Sequence, residues 1–148
     1  MTANKLWEEF ISENGLKNCE YEAWAFGVDA DRLAQLVASG EKTATASAHP
    51  LYEVDGDPLP RAGEYSVILD SHDNAVCVTR TEKVTIVPFC EVTAGHAFKE
   101  GEGDRSLDYW RKVHQEVFTE WMAEAGLEFT EDMPVVCEEF KVVYRNER

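Results

Sequence analysis

The sequence predicts an α+β domain in which several strands curl into a small barrel and helices lie along its flanks. Three observations carry this. Runs rich in β-branched and aromatic residues at 65–69, 75–89 and 135–144 have the composition of strands. Apolar residues recur at steps of three and four over 4–14, 33–37 and 107–121, the spacing of one helical face. Helical and strand-like segments do not alternate regularly enough for a doubly wound parallel sheet. With 148 residues and 44 % hydrophobic content, the chain is long enough to bury a core as one domain.

Taken in order, Leu6, Trp7, Phe10 and Ile11 share a helical face over 4–14, and Gly15 is the expected stop. Trp24 and Phe26 alternate with alanine up to Gly27, as in a short strand or irregular arm. Asp29 or Asp31 caps the next helix, whose Leu33, Leu36 and Val37 form a short stripe ending at Gly40. After His49-Pro50, the segment Asp55-Gly56-Asp57-Pro58-Leu59-Pro60 carries turn chemistry and reads as a loop. Gly63-Glu64 leads into the strand 65–69, and Ser71-His72-Asp73-Asn74 turns the chain back. Residues 75–89 suit one long strand or two joined by a kink. Thr93 caps a brief helix, and Ser106 or Asp104 the longest one, with stripe Leu107, Trp110, His114, Val117 and Trp121. Val135 to Tyr144 is the final strand.

Composition excludes several functions. The net charge of −15, from 29 acids against 14 bases, opposes broad contact with a polynucleotide, whose affinity comes largely from Lys and Arg neutralising phosphates. DNA is not an expected partner. No run approaches the roughly 18 apolar residues of a membrane span, and the opening residues are too acidic and periodic for a signal peptide. A cytoplasmic location is expected. Cys19, Cys77, Cys90 and Cys137 are scattered without a C-x-x-C pair, and the four histidines show no ligand spacing. Neither a metal nor a cofactor is expected.

The densest chemistry lies in Gly40-Glu41-Lys42-Thr43-Ala44-Thr45-Ala46-Ser47, where a lysine and three hydroxyls are separated only by alanine. A helical turn would put Lys42 and Thr45 on one face, whereas a straight strand would send them to opposite sides. Joint action therefore requires a bend. The plain alternative is a strand with a solvated lysine. Beyond this stretch, Glu100 borders a glycine-rich turn, either as a proton-handling carboxylate or as one more acid in a solvated loop. His114 lies on the apolar stripe of the long helix, as a hydrogen-bonded core histidine or a group lining a pocket. Trp24 and Phe26 are core aromatics or the wall of a cleft, Arg111 is a surface or ion-pairing residue, and His96 has no evident partner.

Gly40-x-Lys42-Thr43-x-Thr45 after a short helix resembles the signature of the ASCH domain, a member of the PUA-like β-barrel superfamily. The likeness extends to Gly63-Glu64, to Val87 through Thr93, to His96 through Asp104 and to Ser106 through His114, spanning about residues 22 to 144. The resemblance implies a small PUA-like β-barrel of mixed strands with flanking helices, as one domain over 1–148, residues 1–21 being an N-terminal helical extension. It implies RNA-related work. One small bacterial group of the family hydrolyses N4-acetylcytidine with a threonine nucleophile, a lysine three residues before it and a glutamate after the barrel strands. By resemblance these fall on Thr45, Lys42 and Glu100, the last through the pattern His96-Ala97-x-x-Glu100. Lys42 would serve as base and Glu100 as proton relay. Trp24, Phe26, Thr43, Ser47, Arg111 and His114 are the expected substrate contacts. The extension, a longer loop after the motif and an insertion from Gly101 onward depart from that group and leave the substrate open. The expected partner is a small nucleoside-like ligand or single-stranded RNA. An RNA-binding module and a ribonuclease using the same cleft are the alternatives.

Overall fold

A computed structural model describes residues 1–17 and 19–145. Five strands form one sheet: β1 (Tyr21–Ala25), β2 (Ala44–Ala48), β3 (Tyr65–Leu69), β4 (Ala75–Pro88) and β5 (Pro134–Arg145), in the order β1-β3-β4-β5-β2. The β1–β3 pair is parallel and the others are antiparallel. The two long central strands slip register at Val78/Thr79 and Thr81/Lys83. Such bulges bend a strand and increase its twist, and the sheet curls into a half-barrel with β1 and β2 at its edges. The expected long strand over 75–89 is thus one element with irregularities.

Five helices accompany the sheet: α1 (Ala3–Asn14), α2 (Ala30–Ser39), α3 (His49–Asp55), α4 (Ala94–Glu100) and α5 (Leu107–Glu124). Helix α1 starts where Thr2 accepts from the Lys5 amide and stops at Gly15 in the left-handed region. It packs Leu6, Trp7 and Phe10 on Val67 and Val78, while α2 packs Ala34 and Val37 on Ile68 and Cys77. Residues 67 and 68, like 77 and 78, point to opposite faces of the sheet. Helices α1 and α2 therefore cover opposite faces. Each large apolar side chain buried this way contributes about 1.5–3 kcal/mol.

Helix α5 seals a third cluster, with Trp110, Phe118 and Met122 against Phe89, Val135 and Cys137. The buried line therefore runs one position beyond the expected stripe, which continues through His114, Val117 and Trp121 along a cavity wall. Two further differences from the sequence reading stand out. Residues 49–55, for which the sequence reading named no element, form a helix with proline in the first turn, where its missing N–H costs nothing, and the expected loop follows from Gly56. Asp29 occupies the cap position of α2 without a side-chain cap bond, and Asp31 instead accepts from Ser71 at 2.8 and 3.0 Å.

Candidate active site

The site begins where α2 ends. Gly40, at φ +85°, lets the chain reverse, and the Lys42 amide returns a hydrogen bond to the Leu36 carbonyl at 3.0 Å. Thr43 then joins the chain to two neighbours, its amide donating to the Lys99 carbonyl at 2.7 Å and its carbonyl accepting from Phe140 N–H at 3.0 Å. Strand β2 begins at the next residue. This bend turns both Lys42 and Thr45 to one cavity of about 680 Å³, enclosed where the edge strands β1 and β2 face α5. Thr45 is half-buried there, and its hydroxyl has no hydrogen-bond partner among the described residues.

Lys42 and Glu100 are each 1 % exposed. Lys42 Nζ donates to Glu102 Oε2 at 2.8 Å, to Glu100 Oε1 at 3.4 Å and to the Glu100 carbonyl at 3.3 Å. Three acceptors around one nitrogen suit an ammonium with three donors. The Phe26 ring lies 5.4 Å away and adds a cation–π contact. Glu100 Oε2 accepts from Trp110 Nε1 at 2.5 Å and pairs with His96 Nε2 at 2.7 Å, while Oε1 lies 3.5 Å from His114 Nε2. His114 stacks on Trp110 with ring centres 4.2 Å apart, and its Nδ1–H donates to the Trp110 carbonyl at 2.8 Å.

Burial opposes ionisation of Glu100, but contacts with His114, His96 and Lys42 outweigh it and hold its carboxyl well below the usual range. Burial likewise opposes the charge on His114, yet Glu100 and the Trp110 carbonyl lift its pKa above the ordinary value. A carboxylate so saturated with donors stays ionised and fixes its neighbours in place. Glu102 is partly open to solvent and also lines the cavity.

Backbone geometry holds this cluster together. Gly101, at φ +72°, sits so close to the Glu41–Lys42 backbone that a Cβ would lie 2.5 Å from the Glu41 carbonyl oxygen. Arg105 donates to the carbonyls of Phe98 and Glu41 and stacks on the Phe98 ring at 3.9 Å. The turn carrying Glu100 and Glu102 is thereby fastened to the segment carrying Lys42.

The opposite wall has different chemistry. Ser47 and Tyr52 hydroxyls lie 2.7 Å apart, and Thr81 Oγ1 donates to Glu138 Oε2 at 2.6 Å. Burial, with Glu64 and Glu22 nearby, raises the Glu138 carboxyl above its ordinary value despite the Thr81 hydrogen bond. Burial also raises Tyr52.

Of the residues singled out in the sequence, Lys42, Thr45, Glu100, Trp24, Phe26, Ser47 and His114 all line the cavity. Thr43 is spent on Lys99, with its hydroxyl 3.4 Å from that carbonyl, and Arg111 reaches the Cys90 carbonyl; neither lines the cavity. Glu102, His96, Trp110, Tyr52 and Glu138 escaped sequence reasoning as site residues. The i, i+4 spacing of His96 and Glu100 on a short helix was the available signal for one of them.

Fold and site together define the class: a PUA-like half-barrel whose open side holds a polar cavity beside a buried lysine–glutamate pair. The family follows from direct comparison. The ASCH domain family matches residues 22–144, and the chain belongs to it. It is similar to the ASCH domain from Lactobacillus crispatus JV V101, with 30% identity, TM-score 0.89, and coverage of 96% of this chain and 94% of that one. A protein from Enterococcus faecalis V583 is 36% identical, with TM-score 0.85 and coverage of 96% and 88%. ASCH from Zymomonas mobilis shares the fold at 10% identity, with TM-score 0.50 over 86% of this chain and 72% of that one. No curated protein matches the chain. No helix among the described residues is long and apolar enough to cross a membrane.

Proposed function

We propose that the protein is an amidohydrolase acting on an acylated pyrimidine nucleoside such as N4-acetylcytidine, with Thr45 as nucleophile. One observation carries this reading: an unengaged threonine hydroxyl lines a cavity large enough for a nucleoside, and the same cavity holds an ammonium fixed by Glu100 and Glu102. The Thr45 oxygen attacks the acyl carbon, and the Lys42 charge stabilises the oxyanion that develops. As a base, Lys42 would first have to pass a proton to Glu102, so the ammonium role fits its surroundings better. Trp24 and Phe26 offer aromatic faces to the base ring.

The cavity also favours an uncharged ligand over a strand bearing phosphates. Glu20, Glu22, Glu64, Glu100, Glu102 and Glu138 line it, against Lys42 as the only Lys or Arg among the described residues. A nucleoside enters without repulsion, whereas single-stranded RNA requires a basic groove. Purified protein incubated with N4-acetylcytidine, beside Thr45→Ala and Lys42→Ala, tests the reading. Deacetylation that depends on both residues supports it. Turnover surviving both substitutions, or tight salt-sensitive binding of oligonucleotides without turnover, rejects it.

A further inference from the structure

Thr45 and Glu138 are direct partners across the β2–β5 ladder. Residues so opposed on antiparallel strands project from one side, with Cβ atoms about 4.5–5.5 Å apart. Both side chains line the cavity. Thr81 Oγ1 fixes Glu138 Oε2 at 2.6 Å, which leaves Oε1 without a partner among the described residues. Among the described residues, no Lys, Arg or His pairs with this carboxyl. The titratable groups facing it are Glu22 of β1, Glu64 ahead of β3 and Tyr52 of α3. Lys42 and Glu100 belong to the other wall and are committed to each other.

Resting on the amidohydrolase reading, we propose that Glu138 is the proton carrier of the Thr45 reaction. The Glu138 carboxylate, directly or through one water, takes the Thr45 hydroxyl proton as Oγ bonds to the acyl carbon. It delivers that proton to the departing amine nitrogen as the C–N bond breaks. A water then attacks the threonyl ester and gives its proton to Glu138, which returns it to Thr45 Oγ as the ester C–O bond breaks. Water is the only co-reactant, and the products are the free amine and the carboxylic acid. Lys42 stays an ammonium throughout. A carboxyl with a raised pKa suits a group that must accept and release a proton near neutral pH.

The test compares wild type, Thr45→Ala, Glu138→Gln and Glu138→Asp by two readouts. One is acylation of Thr45 by p-nitrophenyl acetate, followed by intact mass and peptide mapping. The other is turnover of N4-acetylcytidine across pH 4–9. In the wild type, both rates fall as pH drops and Glu138 becomes protonated. Glu138→Gln should keep a melting temperature at least equal to wild type, lose about 10²–10⁴-fold in both rates and lose the acid limb; Glu138→Asp should recover part of the rate. A Glu138→Gln variant within about twofold of wild type, or one that is slow but keeps the acid limb, overturns the proposal. A wild type that is acylated on Thr45 yet ignores N4-acetylcytidine defeats the substrate reading while the acylation rates still decide Glu138. A wild type that is neither acylated at Thr45 nor active on N4-acetylcytidine overturns both.

Discussion

A buried glutamate and a half-buried one line the same cavity, and their surroundings drive them in opposite directions. Glu100 is the more deeply buried, yet Lys42, His96, His114 and Trp110 surround it with donors and keep it ionised. Glu138 has one hydroxyl donor and two acidic neighbours, so burial prevails and its proton is held more tightly. Depth alone does not set the charge of a buried carboxyl; the donors within reach do. In the reaction we propose, the sparsely partnered glutamate is the one that moves the proton.

The sharpest way to break this contrast is to empty the first wall. Glu100→Ala removes one of the two carboxylates that hold the Lys42 ammonium and the acceptor for three other side chains. Breaking such a buried pair should cost about 3–5 kcal/mol, read by urea denaturation. Trp110→Phe keeps the packing but removes one N–H from the carboxylate, at about 1.5–3 kcal/mol for a hydrogen bond to a charged group. Gly101→Ala attacks the same cluster through the backbone. A positive φ together with contact on the Glu41 carbonyl predicts a loss of about 1–3 kcal/mol, with a matching fall in melting temperature.

The second wall should respond with the opposite sign. Between the unfolded Glu value of about 4.3 and the raised native value, folded Glu138 retains a proton that the unfolded chain has lost. Its contribution to stability therefore declines as pH rises through that window. Glu138→Gln removes this penalty and should raise the melting temperature at pH 7, with no gain at pH 4. Glu100 runs the other way, its stabilisation present above about pH 4.3 and lost as pH falls through its depressed value. The contribution of His114 is complete below about pH 6.5 and lost as pH rises through its raised value. Calorimetric melts across pH separate these trends. The smallest effect belongs to Arg111→Ala, which touches neither wall and should leave kcat/KM within about twofold of wild type.

Much of the fold was legible in the chain itself. The Thr93 and Ser106 caps, the stop at Gly15 and the stripe Leu6, Trp7, Phe10 are local signals, and local hydrogen bonding and periodicity decide them. Helix α3 was hidden because His49-Pro50 reads equally as a loop entry or as a first helical turn. Lys42, Thr45 and Glu100 could be named from their motif, but their partners could not. His96 lacked a visible role until α4 packed against α5 and brought the Trp110 indole to the same carboxylate oxygen. In the sequence, Glu138 is one of two consecutive acids in an apolar strand. Only the pairing of β2 with β5 sets it beside Thr45.

By itself, then, the sequence determined the α+β class, the element ends and the motif that places the chain in its family. Periodicity, caps and turn residues act over a few positions, so a linear reading recovers them. Tertiary structure alone decided which glutamate is surrounded by donors and which has a single one. Strand register and helix packing choose the neighbours of each carboxyl from far along the chain, as Thr45 and Glu138, paired across 93 positions, illustrate. Ionisation follows those neighbours rather than the residue's own name.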